Sequence, residues 1–397
     1  MNFEFSEPEQ RFIDRVRAFI AREAEKNYAD EVMAPEREAH SQLADSPERR
    51  EFCRQLAAEG LLGLSWPKEY GGQELPGIYD YFVNEELAAV GAPLIGKGIG
   101  IIGQTLIEKG TEKQKQYFLP KILAGEIEFA LGYTEPGAGS DLASLQLKAQ
   151  RDGDGFRLNG QKTFNTSAHF ADWYWLAART DNSGPSKYHG ITLFLIPMDS
   201  KGISVSEIET MACHRTNEVF FDDVRVSAAD VVGEVDKGWE LMCQALDYER
   251  FTLFTYSPLR LKFDALVATL RDWKVAGQAA LETDHVRRKL ARLGSKLEVA
   301  KMHQRRVICA AAEGRVPTVE SAMCKLYCTE LGQEICDTAM DLLGPQALLS
   351  EGVDEAPLDG RWESALRATV VDTIGGGSSQ VQKNIISRRH LGLPNPN

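Results

Sequence analysis

Between Phe5 and Glu126 the apolar residues return every three or four positions: Phe12, Val16, Phe19 and Ile20, then Phe52, Leu56 and Leu61, then Tyr81, Phe82, Leu87 and Val90. That spacing puts each set on one face of an α-helix, so residues 1–126 read as a helical unit. Trp66-Pro67, Gly71-Gly72 and Pro93 interrupt the pattern and separate the helices. From Ile127 the period changes. The runs "FALGYT", "LQLKAQ", "FRLNGQKTF", "DWYWLAAR", "GITLFLIP", "ISVSEIE" and "EVFFDDVRV" are rich in aromatic and β-branched residues and alternate with turn signals such as Asp152-Gly153-Asp154-Gly155. They predict strands and a β-domain over residues 127–235, whose last strand ends near Val232. The segment "TDNSGPSKYHG" is its flexible loop. After Gly238 the helical period resumes: Trp239, Met242, Leu246 and Phe251 begin one long helix, and residues 285–314 and 320–344 supply two more. Helices, a compact β-domain, then long helices over 236–397 is an α+β order, unlike a βαβ dinucleotide fold.

Composition narrows the functional classes. With 43% hydrophobic residues, 26% charged and no apolar run near the eighteen or so needed to cross a bilayer, no membrane span is expected. The start lacks the features of a targeting peptide, which gives a cytoplasmic location as the expectation. A formal net charge of -13 opposes a general nucleic-acid role. Seven scattered cysteines fit reduced thiols. Cys324 and Cys328 lie one helical turn apart, but without a CxxC or a nearby His cluster they read as buried structural thiols, and no metal site is expected. His169, His214 and His303 have no partner spacing that points to catalysis.

Two segments carry the chemistry. "GYTEPGAGSD", residues 132–141, is neither a Walker loop nor a Rossmann fingerprint. Pro136 fixes one dihedral, Gly137 and Gly139 permit positive φ, and Thr134 and Ser140 place hydroxyls beside backbone N–H groups. Such a turn suits a planar polar ring; an ordinary tight turn is the plain alternative. The second segment is "TIGGGSSQVQKN", residues 373–384, where three glycines run into a helix whose first turn carries Ser378, Ser379 and Gln380. Uncapped N–H groups and a positive dipole end make a seat for phosphate, or equally a simple helix cap. Neither segment supplies an obvious base for proton chemistry.

The motifs "YTEPGAGSD", "NGQKTFNTSAHFADW", "VFFDDVRV", "LDYER" and "GGGSSQVQKNIISRRHLGLP", in this order, resemble the signatures of the acyl-CoA dehydrogenase family over nearly the entire chain. The resemblance implies an N-terminal all-α domain, a central β-barrel or sandwich and a C-terminal four-helix bundle. It implies FAD between the β-domain and the C-terminal helices, and an acyl-CoA thioester against the flavin. Carried over by motif, Leu131, Tyr133, Thr134, Gly139 and Ser140 line the flavin, joined by Phe164 and Thr166, with Phe164 where a Trp commonly backs the ring system. Ser378 and Gln380 fall where the family meets the adenosine-phosphate half, often across a subunit boundary, and Ser140 also lies toward the substrate.

Aligned this way, Gly376 stands where the best-known members carry their catalytic glutamate. Dehydrogenation still needs a base for the α-proton. Isovaleryl-CoA and long-chain acyl-CoA dehydrogenases place it before the arginine of the LDxxR motif, and Leu246-Asp247-Tyr248-Glu249-Arg250 matches, with Glu249 as base and Asp247 and Arg250 positioning coenzyme A. A surface carboxylate is the plain alternative for Glu249. Gly376 keeps an N–H for the thioester carbonyl and vacates volume for a branched, cyclic or bulky acyl group. The usual Arg-x-x-Phe-Gly stretch is replaced by "LRDWKVAGQAALETDHVRRKL", and the later glycine-rich contact by "DLLGPQALL". These changes look like those in bacterial members acting on steroid side chains or dicarboxylic acyl-CoAs, some of which pair with a second, degenerate subunit. The reading is therefore an FAD-dependent acyl-CoA dehydrogenase of fatty acid or steroid side-chain β-oxidation, a homo- or hetero-oligomer served by electron-transferring flavoprotein. A flavin monooxygenase or oxidase on the same scaffold, or a non-catalytic partner subunit, stands as the alternative.

Overall fold

The computed structural model describes residues 5–37, 42–212, 214–253, 256–275, 277–313 and 315–394, with the side chains of residues 248–253, 275, 311 and 312 outside the description. The first unit holds α1 (Glu7–Ala24), α2 (Ala29–Val32), α3 (Pro47–Ala58), α4 (Ile78–Ala89), a π-helical turn at Gly98–Gly103, α5 (Gln104–Lys109) and α6 (Glu112–Leu123). Local chemistry sets several of these boundaries. Ser6 and Glu9 form a capping box at the start of α1, and Thr111 and Gln114 do so at α6. The side chain of Gln114 also donates to the carbonyls of Ala229 and Val231, at 3.0 and 2.9 Å, which ties α6 to the sheet.

The middle unit is a mixed sheet of eight strands: β1 (Phe129–Gly132), β2 (Lys148–Asp152), β3 (Gly155–Lys162), β4 (Trp173–Arg179), β5 (Ile191–Pro197), β6 (Ile203–Glu209), β7 (Arg215–Ser227) and β8 (Val231–Val232). Its order is β6-β7-β3-β2-β4-β5-β8, and β1 lies parallel to β4 with Phe129 opposite Trp173. Strands β4 and β5 are buried almost throughout, which is why they read as continuous apolar runs instead of alternating ones. A second apolar layer, Phe156, Tyr174, Phe194 and Val224 among others, packs on the other side of β4.

The last unit contains α7 (Gly238–Leu253), α8 (Ser257–Asp272), a two-stranded hairpin of β9 (Lys274–Val275) and β10 (Gln278–Ala279), then α9 (Asp284–Ala312), α10 (Thr318–Leu343), α11 (Arg361–Asp372) and α12 (Ser379–Ile385). The hairpin falls inside "LRDWKVAGQAALETDHVRRKL". Helix α10 is the common support, packed against α7, α8, α9, α11 and α12. Helix α7 in turn packs on β5 and on the Gly98–Gly103 turn, so it touches all three units. Cys324 and Cys328 are buried on α10 with their sulfurs 3.8 Å apart, as structural thiols. Among the described residues no helix is long and apolar enough to cross a membrane, and no group of His, Cys, Asp or Glu is arranged to hold a metal ion.

Candidate active site

The turn at residues 134–140 is built on a buried ion pair. The backbones of Glu135 and Ala138 exchange N–H···O bonds, both 3.0 Å, which exposes Pro136 and Gly137 at the tip. Below the tip, Glu135 accepts from the N–H groups of Gln146 and Leu147, at 2.6 and 2.9 Å, and from Lys162 Nζ at 2.7 Å. Lys162 donates also to the Tyr133 carbonyl at 3.1 Å. Burial pushes the Lys162 ammonium down to about 8 against the upward pull of Glu135. Gly137 and Gly139 do not use the positive φ that glycine permits. A Cβ at either would meet nothing within 4 Å, so these positions border open space.

Of the residues assigned to the flavin, one group is brought together by hydrogen bonds. The Thr134 carbonyl accepts from Thr163 N–H at 2.9 Å, and the Leu131 carbonyl accepts from Asn165 Nδ2 at 3.0 Å. Asn165 is buried and accepts from the Tyr174 hydroxyl; Asn217, also buried, donates to the Asn165 carbonyl at 2.7 Å and to that of Thr166 at 3.4 Å. This clamp holds Phe164 at φ 58 with 63% of its surface exposed. A bulky residue in the left-handed region costs roughly 1–2 kcal/mol, and an exposed aromatic ring forgoes its burial energy as well. The loop keeps both costs and faces the ring outward beside Thr134. Tyr133 behaves differently: its ring is buried and its hydroxyl accepts from Trp175 Nε1 at 2.7 Å, so its side chain belongs to the core. Ser140 and Gly139 are exposed, and Thr166 is half-buried.

A lysine links this loop to the first unit. Lys97, which precedes the Gly98–Gly103 turn, donates to the Ser167 hydroxyl. Glu128 at the foot of β1 feels Lys97 and Arg50, yet desolvation raises its carboxyl to about 7.

The glycine segment forms a separate elbow. Gly376 and Gly377 have φ 63 and 92, conformations that glycine adopts without strain. Ser378 caps α12, its hydroxyl accepting from Val381 N–H at 3.4 Å, and Gln380 is exposed. Gln382, which the motif comparison did not single out, is buried and donates to the carbonyls of Gly376 and Gly377 at 3.1 and 2.9 Å. On α7, Asp247 accepts from the Thr318 hydroxyl at 2.9 Å, which fastens α7 to the start of α10. Glu249 and Arg250 lie in the last turns of α7, and their side chains fall outside the described residues. The structure thus gathers the assigned residues into three groups: the Phe164 loop with its strands, the glycine elbow on α12, and the end of α7. Helix α10 supports the last two.

Three family descriptions match the chain in succession: "Acyl-CoA dehydrogenase, N-terminal domain" over residues 6–126, "middle domain" over 130–224 and "C-terminal domain" over 236–391. The chain is 37% identical over 359 residues to acyl-CoA dehydrogenase FadE26 of Mycobacterium tuberculosis, covering 88% of each. Among solved structures, it resembles the Tcur3481-Tcur3483 steroid ACAD with a TM-score of 0.88 and 33% identity, both chains being covered in full. It also resembles the ChsE4-ChsE5 complex from Mycobacterium tuberculosis with a TM-score of 0.86, 33% identity and full coverage of both chains.

Proposed function

Since the chain belongs to the acyl-CoA dehydrogenase family, a family of oxidoreductases, we propose that it is an FAD-dependent dehydrogenase that converts a bulky, ring-bearing acyl-CoA thioester to the trans-2-enoyl thioester. The observation that carries the cofactor is Phe164, an apolar ring kept exposed in a costly backbone conformation by the buried amides of Asn165 and Asn217. A flat ligand stacked on Phe164 and lying along the Thr134 backbone recovers what that loop gives up. Leu131, Tyr133, Gly139, Ser140 and Thr166 flank the same seat, Tyr133 by its backbone alone, with Ser378 and Gln380 toward the far half of the dinucleotide. When bound, FAD supplies the acceptor for the hydride that leaves the substrate's β-carbon.

The chain's own residues then divide the remaining work. Glu249 accepts the α-proton. The Gly376 N–H donates to the thioester carbonyl, where negative charge develops as that proton departs. Asp247 and Arg250 hold the coenzyme A portion, Asp247 from a fixed place because Thr318 binds it. Gly376 presents no side chain to the acyl group, and the resemblance to the Tcur3481-Tcur3483 steroid ACAD supports a polycyclic substrate. Both solved relatives are named as pairs of chains, which supports assembly with a second chain of this fold. Electron-transferring flavoprotein is the proposed oxidant.

The purified protein should be yellow, and anaerobic addition of a ring-bearing acyl-CoA should bleach it faster than a straight-chain one. Glu249→Gln should stay yellow and lose about 10²- to 10⁴-fold in bleaching rate. Full bleaching by that variant places the base elsewhere, and a strong straight-chain preference refutes the bulky substrate.

A further inference from the structure

We propose that Gln382 is a positioning residue for the reaction: it locks the glycine elbow so that the Gly376 N–H points at the thioester carbonyl. The inference rests on the reading of Gly376 as the carbonyl donor. Gln382 is buried in the first turns of α12, and its Nε2 group donates to two successive carbonyls, those of Gly376 and Gly377. Its Oε1 is buried without a hydrogen-bond partner among the described residues. An amide turned this way gives up its own acceptor to keep the two carbonyls in place.

Peptide planarity shows what the lock achieves. A fixed carbonyl fixes the N–H of the next residue, so Gln382 immobilises the peptide units that follow Gly376 and Gly377. On the other side, Gly375 N–H donates to the Val371 carbonyl at 2.8 Å and anchors the unit before Gly375. The peptide that carries the Gly376 N–H hangs between these two anchors. Glycine on both sides leaves its rotation otherwise unconstrained. Among the described residues, the N–H groups of Gly376, Gly377 and Ser378 donate to no backbone carbonyl. A buried or ligand-facing N–H needs an acceptor, and a substrate carbonyl is one. The elbow and the glutamine are also matched in shape: a Cβ on Gly377 would stand 2.6 Å from Gln382 Nε2.

The test uses the flavin-loaded enzyme with Gln382→Leu, which keeps the apolar bulk and removes the donors, and Gln382→Glu, which keeps the shape and replaces the donors with an acceptor. The infrared carbonyl stretch of bound, carbonyl-labelled trans-2-enoyl-CoA reports the hydrogen bond directly. In the unaltered enzyme it should lie below that of free enoyl-CoA. In both variants at least half of that lowering should vanish, with kcat down about 10- to 100-fold, KM within about twofold and flavin content unchanged. A variant that keeps the full lowering and a kcat within about twofold overturns the proposal, as does loss of flavin or fold in both variants. No lowering in the unaltered enzyme is a different failure: it removes Gly376 as the donor.

Discussion

Glu135 and Lys162 meet at 2.7 Å beneath the exposed turn at Pro136-Gly137, both withdrawn from solvent. Each partner has further bonds, so the pair fastens the turn to the start of β2 and to the end of β3. A buried pair of this kind adds little net stability over an apolar pair, yet breaking it leaves one charge stranded. Lys162→Met should therefore cost about 3–5 kcal/mol in urea unfolding and lower flavin retention. Adding Glu135→Gln to that variant should recover much of the loss. If Lys162→Met alone unfolds at the urea concentration of the unaltered protein, the pair has no such role.

Phe164 offers a separation of fold from ligand. Phe164→Gly relieves the left-handed backbone, so the flavin-free protein should melt no lower than its parent. Flavin affinity should fall about thirtyfold, since a stacked aromatic ring contributes about 2 kcal/mol in such a seat. Flavin fluorescence titration measures the affinity and calorimetry the melting. An unchanged affinity means that the ring has no flavin to back.

Glu128 gives a pH dependence with a definite sign. Its carboxyl is raised from the ordinary value to about 7, chiefly by desolvation, with Lys97 and Arg50 pulling the other way and Asp172 adding to the rise. The folded protein then binds the proton more tightly than the unfolded chain between about 4.5 and 7. Stability from this group is present at the acidic end and is lost as pH rises through that range. Glu128→Gln should gain melting temperature over its parent as pH climbs from 4 to 8, and match it at pH 4. A difference independent of pH rules the titration out.

The strands and helices were legible because their periods differ: Trp173–Ala178 in "DWYWLAAR" and Ile191–Pro197 in "GITLFLIP" run without polar alternation, Thr192 apart, and they belong to the two strands buried on both sides. The family was legible too, since five short blocks in a fixed order are jointly specific, and the matched family descriptions agree. The supports of the site were not. Lys162 ends an ordinary strand and Glu135 sits 27 residues earlier in a turn, so only the closed fold shows that they pair. Gln380 and Gln382 differ by two helical positions, about 200° of rotation, which sends one outward and the other inward. Motif comparison pointed to the outward one, because matching residues to a signature says nothing about which of them the chain itself consumes. Asn165 and Asn217 escaped notice for the same reason: polar residues inside a strand-rich segment carry no periodic signal, and their value lies in bonds to a loop that only the fold assembles.

One apolar cluster runs without a break from Phe19 and Phe52 through Trp66 and Phe129 to Trp175, Leu195 and Met242. Its members come from the N-terminal helices, the sheet and α7 alike. Cutting the polypeptide at 126 or 235, however natural those points are in the chain, would split a shared interior and leave Trp175 and its neighbours facing water. Chimeras that exchange one unit between relatives should therefore succeed only when the facing side chains of this interior are exchanged with it, and new specificity should be sought by altering loops around the intact scaffold.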